Sequence, residues 1–411
     1  MKERILCFLI VGSIAMAAKA QTIQRIDGTT LSVDSLTSKI DYLMKTANVS
    51  GVAISVFNRN QPVYSRTFGL ADVPNHVPLK DSTVLYGASE SKLVFAYVVM
   101  QLVQEKLIDL DKPLVQYLDS PLIAYHFPGK FKGYQDLAGD DRYTKITARM
   151  CLDHTTGLPN WRWIEADQKL RIKYDPGTRY NYSGEGLVLL QFVVEKILGK
   201  DYETIAQERV FMPLGMASTS YIWQTRYEGN FAYGHNASGQ PYPIARRHSP
   251  GAAGSMSTTL ADFTKFYTAL ISSISSAEGD GKRSGDVNSV SRLTAQSFTE
   301  MTRTQISIHS IKQFGPLARV DSTSNDAIRL GYGLGVGVFQ TRYGRAFFKE
   351  GHDDGWGHYT VCFPDKQIAI IIMTNNDNGE SIFKALLAYA IGDTFTPWQW
   401  ENYIPYDQKK L

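Results

Sequence analysis

Alternating apolar and polar positions in "GVAISVFNRNQPVYSRTFGLAD" (51–72) predict two half-buried strands joined by an Asn58-Arg59-Asn60 turn. The pattern then changes. "LYGASESKLVFAYVVMQLV" (85–103) becomes almost continuously apolar behind Ser89-Glu90-Ser91-Lys92, which predicts a buried helix opening at Ser89. A long mixed stretch from about 104 to 269 follows, with turns and with helices such as "GEGLVLLQFVVEKILG" (184–199), stopped by Gly199. Ser272–Ser291 is rich in Ser, Gly and Asp and reads as a surface loop. The last third returns to strands. "YGLGVGVFQTRYGRAFFKEG" (332–351) is followed by "HYTVCFPDKQIAIIIMTNN" (358–376), with Pro364-Asp365 as the turn, and by a closing helix around "GESIFKALLAYAIG" (379–392). Strands at both ends and helices between them predict an α/β (α+β) fold. One antiparallel sheet is built from both termini (about 21–100 and 300–411), flanked by helices and interrupted by a mostly helical inserted subdomain (about 101–299). There is no internal repeat.

The first twenty residues stand apart. "MKERILCFLIVGSIAMAAKA" has a basic start, an apolar stretch from Ile5 to Ala17 and a small-x-small end at Ala18-Lys19-Ala20. These are the marks of a signal peptide cleaved before Gln21, and they imply export to the periplasm or the medium. Cys7 lies inside the apolar stretch rather than at a cleavage point, which argues against a lipoprotein, and the stretch is short for an uncleaved anchor. Cleavage takes Lys2, Arg4 and Lys19 from the 43 basic groups and Glu3 from the 40 acidic ones, leaving a near-neutral chain. That balance gives no support to a nucleic-acid or anionic-membrane partner. After cleavage no stretch is long and apolar enough for a stable membrane span. Cys151 and Cys362, both in apolar contexts, read as buried free thiols.

The chemistry gathers in three places. Ser89 and Lys92 are three positions apart and share a helix face. A serine hydroxyl becomes a nucleophile when a neighbouring base takes its proton, and a lysine serves as that base when burial or nearby positive charge lowers its pKa. The helix start also favours a developing oxyanion. Taken alone, the same four residues fit a serine that merely caps the helix. In "YDPGTRYNYSGEG" (174–186), Tyr182 precedes another helix start, where its hydroxyl can hand on protons if lysines hold it; packing is the commoner fate of a tyrosine. In "FFKEGHDDGWGHYTVCF" (347–363), Lys349-Glu350-Gly351 lies where a strand passes through glycine, so that a substrate can lie against the backbone. An edge-strand lysine before a turn fits those residues as well.

The order S-x-x-K, then tyrosine, then K-x-G resembles the serine β-lactamase and penicillin-binding-protein superfamily. The surrounding text is closest to its class C β-lactamase-like branch. "ITARMCLDHTTGLPNW" (146–161) is similar to that branch's "LLTHTSGLP" segment, and "PGAAGSMSTTLADFTKFYTALI" (250–271), "VFMPLGMASTSY" (210–221) and "LGYGLGV" (330–336) match it too. The resemblance runs from about Ile40 to Ala390. It implies the β-lactamase/transpeptidase-like fold and a serine hydrolase working through an acyl-enzyme, esterase-, D,D-peptidase- or D-aminopeptidase-like, with no cofactor and a small-molecule or peptide substrate.

By that resemblance Ser89 is the nucleophile, Lys92 its base partner, Tyr182 the proton shuttle and Lys349 the strand lysine near the substrate. Gly351 lies beside the substrate, and the backbone N–H groups of Ser89 and His352 form the oxyanion hole. Two departures bear on substrate choice. The family's Tyr-x-Asn is Tyr182-Ser183-Gly184 here, so an amide that would bind the substrate is absent. Gly184 is expected to leave a space the size of the lost side chain, which Glu185 could fill by reaching back. Glu350 stands where β-lactamases favour Thr or Ser. Both departures predict weak β-lactamase activity beside ester hydrolysis. The rival within the fold is a non-catalytic protein, or a sensor that is acylated and stops. A metal site from His352, Asp353, Asp354 and His358 is weak, because adjacent strand residues point to opposite faces and no second cluster completes a shell. A Ser-His-Asp hydrolase is weak because no G-x-S-x-G elbow occurs. The oligomeric state is open.

Overall fold

The computed structural model describes residues 22–274 and 292–408. The leader, its cleavage point and most of the Ser272–Ser291 stretch lie outside the described residues. A short ribbon of β1 (Thr22–Gln24) and β2 (Thr30–Ser32) leads into helix α1 (Val33–Ala47). The central sheet is antiparallel and nine-stranded. Its members are β3 (Gly51–Asn58), β4 (Gln61–Asp72), β5 (Val77–Pro78), β8 (Ile306–Ser307), β9 (Gly331–Tyr332), β10 (Gly337–Thr341), β11 (Gly344–Asp353), β12 (Trp356–Phe363) and β13 (Ile368–Thr374). They lie side by side as β5-β4-β3-β13-β12-β11-β10-β9-β8. The early and late strands meet inside the sheet, where β3 pairs with β13 from Asn58↔Ile368 to Val52↔Thr374.

Local sequence explains these elements. Arg59 and Asn60 both take positive φ (52° and 59°), the twist a two-residue hairpin between β3 and β4 requires. β13, "IAIIIMT", is buried throughout because both faces of the central sheet are covered. One face packs Val52, Ile54, Val56, Ile370 and Ile372 against α1 and α8 (Phe383–Ala390). The other packs Ala53, Phe57, Ala369, Ile371 and Met373 against the helical layer.

That layer contains α2 (Glu90–Gln104), α3 (Ala148–Leu152), α4 (Gly184–Leu198), α5 (Tyr202–Ala206), α6 (Leu260–Ser272) and α7 (Ala295–Thr302). Gly199 ends α4 in the left-handed region at φ 63°, as its sequence predicts. Turns and short 3₁₀ segments fill the rest of the layer, more of them than the helical pattern announces. A small ribbon, β6 (Leu85–Tyr86) with β7 (Ser257–Thr258), ties the entry of α2 to the segment before α6. Cys151 and Cys362 are buried and free. Among the described residues no helix is long and apolar enough to cross a membrane.

Candidate active site

From Thr83 to Leu102 every residue is buried except Ser89. The opening is made by backbone. Ala88 takes φ 45°, a left-handed conformation that costs a non-glycine residue about 1–2 kcal/mol. Ser91 Oγ holds it, donating to Ala88 O at 2.5 Å while accepting from Met256 N at 3.0 Å. The helix proper begins at Glu90, one residue after the expected start, with Ser89 at the cap position. Its side chain makes no capping bond; Lys92 Nζ lies 2.9 Å from Ser89 Oγ instead. Lys92 is fully buried one turn into α2 and also donates to Ala253 O. Burial, and then the positive charge of Lys349, hold its pKa well below the ordinary lysine value. A neutral amine there can accept the serine proton.

Tyr182 stands two residues before α4, whose cap is Ser183, with Ser183 Oγ accepting from Gly186 N. Lys349 lies in β11, between β10 and β12, so it is an interior-strand lysine rather than an edge one. Its Nζ donates to Tyr182 Oη at 3.3 Å and to Glu350 O at 2.6 Å, and lies 3.5 Å from Glu350 Oε2. Burial opposes charge on Lys349, but Glu350, Tyr182 and Glu90 more than offset it, and its pKa is raised. Burial raises the Tyr182 pKa as well, against the pull of Lys349.

Gly351 lies against the entry of α2. A Cβ there would sit 3.2 Å from Gly87 O and 3.3 Å from Ser89 N, so glycine permits the approach. The Ser89 N–H has no acceptor among the described residues. His352 turns its half-exposed ring toward Glu380, Nδ1 to Oε2 3.6 Å, and so offers the cleft only its backbone. The acidic and histidine side chains beyond it disperse. Asp353 pairs with Arg247 at 3.6 Å, and His358 is buried with Nε2 donating to Tyr86 O at 2.7 Å. Burial brings His358 down to about 4.

Two expectations around Gly184 are overturned. The space is not empty: a Cβ on Gly184 would lie 2.5 Å from Cη2 of Trp161, whose indole fills the position. Nor does Glu185 reach into the cleft. It is buried and takes up Arg162 through Nε–Oε1 at 2.9 Å and Nη2–Oε2 at 2.7 Å, while accepting from Arg162 N at 3.0 Å.

Two further residues escaped the reading of the sequence, although both lie inside the segment quoted as "LDHTTGLPNW". Trp161 is one, with its ring centroid 5.7 Å from Lys92 Nζ. His154 is the other. It is fully buried, tilted against the Tyr182 ring at 4.3 Å, and its Nδ1 accepts from Ser183 N at 3.1 Å. Burial and the two lysines hold it neutral, its pKa well below the usual histidine value. Nothing in one sequence says which residue of such a segment touches the tyrosine.

The arrangement joins a serine to a buried amine and that amine's surroundings to a tyrosine held by a second lysine. Comparison with known proteins places it. The family model described as Beta-lactamase matches residues 36–391. Esterase EstB of Burkholderia gladioli is 25% identical over 258 residues, 55% of this chain and 62% of the esterase. The D-alanyl-D-alanine-carboxypeptidase/endopeptidase AmpH of Escherichia coli K12 is 24% identical over 236 residues, 53% of this chain and 57% of that enzyme. The chain thus spans about three fifths of the length of these relatives. The octameric penicillin-binding protein homologue from Pyrococcus abyssi superposes with a TM-score of 0.63 at 20% identity, covering 85% of this chain and 74% of that one, which shows the shared fold. With the family model running from α1 through α8, the chain belongs to the Beta-lactamase family.

Proposed function

We propose that this protein is an exported serine hydrolase that forms an acyl-enzyme at Ser89 and cleaves esters or amide bonds, with esters preferred over β-lactams. The observation that carries the reading is Lys92 Nζ, buried and 2.9 Å from the hydroxyl of Ser89, the one opening in an otherwise buried stretch. Neutral Lys92 takes the proton from Ser89 Oγ as that oxygen bonds to the substrate carbonyl carbon. The backbone N–H groups of Ser89 and His352 receive the oxyanion. Tyr182, bonded to charged Lys349, passes its proton to the leaving group as that group's bond to the carbonyl carbon breaks, and the proton held by Lys92 restores the tyrosine, leaving Lys92 neutral again. Water then repeats the attack on the acyl-enzyme and frees the acid. The leader at residues 1–20 supports export. Trp161 in place of an amide beside Gly184 supports ester over lactam turnover, since amide-bearing substrates lose a hydrogen-bond partner there.

The test is a fluorophosphonate probe with mass mapping, alongside release of p-nitrophenol from p-nitrophenyl acetate. The expected result is one label on the Ser89 peptide and many turnovers per chain, both abolished in Ser89→Ala. A single stoichiometric burst without turnover would establish the acylated-sensor reading instead. Equal hydrolysis by Ser89→Ala would remove Ser89 from the mechanism.

A further inference from the structure

We propose that Trp161 and Trp163 form an acyl-binding subsite for planar apolar groups, a proposal that rests on the reading of Ser89 as nucleophile. Trp161 is partly buried against the core beside Lys92 and is not a loose surface residue. Its ring edge fits the space that Gly184 leaves by having no Cβ. The backbone on either side is clamped: Gly184 N donates to Asn160 Oδ1 at 3.1 Å and Glu185 N to Asn160 O at 3.1 Å. The buried Arg162–Glu185 pair locks the next residue, and Arg162 Nη1 donates to Gly133 O at 2.8 Å.

Held this way, Trp161 stacks on Trp163 with centroids 4.6 Å apart and planes at 13°, and Phe131 continues the run 6.1 Å beyond Trp163. Trp163 is 43% exposed. An aromatic track therefore runs from the catalytic amine, 5.7 Å from the Trp161 ring, to the surface. Ser183 Oγ, Asn160 Oδ1, Glu185 and Arg162 are engaged within the fold, so the groups bordering Gly184 recognise shape and apolar surface rather than an amide. The side is set by the proton path. The leaving group takes its proton from the Tyr182 hydroxyl, which Lys349 holds, while the acyl part stays on Ser89 Oγ, 2.9 Å from the Lys92 amine that Trp161 borders, so Trp161 is assigned to the part that stays. A ring on that part stacks at the distances aromatic pairs prefer, a gain of about tenfold in affinity.

The experiment compares kcat/KM for p-nitrophenyl phenylacetate and p-nitrophenyl acetate, which share one leaving group. The wild type is expected to favour the phenylacetate by about tenfold or more. Trp161→Ala brings that ratio close to one, Trp161→Phe keeps most of it, and Trp163→Ala, at an exposed position that does not endanger folding, lowers it about threefold. A ratio unchanged in Trp163→Ala and in whichever Trp161 variant folds overturns the subsite. Fluorophosphonate labelling of wild-type Ser89 is run beside it. If label and acetate turnover are present while the ratio does not move, the subsite alone is wrong. If wild-type Ser89 takes no label and neither ester is hydrolysed, the hydrolase reading fails and the subsite with it.

Discussion

Lys92 and Lys349 hold their amine nitrogens 5.1 and 5.4 Å from the centroid of one ring, that of Tyr182, yet they titrate in opposite directions. Both are buried, so burial works against charge on each. The difference lies in partners. Lys349 has the Glu350 carboxylate beside it, whereas Lys92 touches only hydroxyl and carbonyl oxygens and feels the repulsion of Lys349 more strongly than the attraction of Glu350. Neighbouring groups with pKa values driven apart divide into a base and a charged donor. One lysine is free to accept a proton because the other keeps its own.

The acid limb of the rate profile should therefore report Lys92. Glu350 holds the Lys92 pKa up, while burial and Lys349 push it down. In Glu350→Gln that support is gone, and the acid limb of kcat/KM for p-nitrophenyl acetate moves to lower pH. Gln313, whose Nε2 is 2.5 Å from Glu350 Oε1, can bond the new side-chain oxygen, so the fold is retained. A limb that stays in place or moves upward would assign the profile to another group.

Lys92 also burdens the fold. Its pKa is 10.5 in the ordinary state and lower in the folded one, so the unfolded chain holds this proton more tightly than the native site does. The folded state is destabilised on that account below about 10.4, and the effect grows as pH falls toward the folded value. Lys92→Met removes it. We expect an inactive variant whose Tm exceeds the wild type's by several degrees at pH 6 and by much less near pH 10. A lower Tm for Lys92→Met at both pH values would show that the bond to Ala253 O outweighs the buried amine.

Gly184 and Trp161 should be coupled in a mutant cycle. An alanine Cβ at 184 meets the Trp161 ring at 2.5 Å, an overpacking that typically costs about 1–3 kcal/mol. In a Trp161→Ala background the same Gly184→Ala change becomes neutral or stabilising, since alanine favours a helix over glycine by about 1 kcal/mol. Denaturant melts of the four proteins give the coupling energy. Values additive to within about 0.5 kcal/mol would mean that the ring simply moves aside.

Removing one member of the buried Arg162–Glu185 pair should cost about 3–5 kcal/mol, because the other charge is left without its partner. Arg162→Met is the direct test, and the double variant Arg162→Met/Glu185→Leu should recover more than half of the loss. A single variant within about 1 kcal/mol of wild type would show that this pair does not hold Trp161 in place.

How much of this could be read in the chain depends on the range of the interaction. The β3–β4 hairpin, the Gly199 stop and the Ser89/Lys92 spacing are local, and periodicity or spacing announces each of them. The helix α1 is legible too, in the Leu36, Ile40, Leu43, Met44 and Ala47 spacing. The Lys349–Tyr182 bond joins residues far apart, and only the resemblance brought them together. The Gly184 reading failed for a different reason. A missing side chain looks like a hole in one dimension, and whether another residue fills it is decided by packing. Trp161 fills it from 23 positions upstream, along the ladder that Asn160 makes with Gly184 and Glu185.

The pairing of β3 with β13 makes the site a check on completeness. β3 and β13 are neighbours inside the sheet, so their pairing cannot form until residues 368–374 have been synthesised. Ser89 and Lys92 are made early, while Lys349 reaches Tyr182 only when the late strands are in place. A chain that stops short of β11 carries Ser89 and Lys92 without Lys349. The contact between the Tyr182 hydroxyl and Lys349 is thus the part of the site that depends on sheet assembly, while the Ser89–Lys92 contact is local to one helix entry.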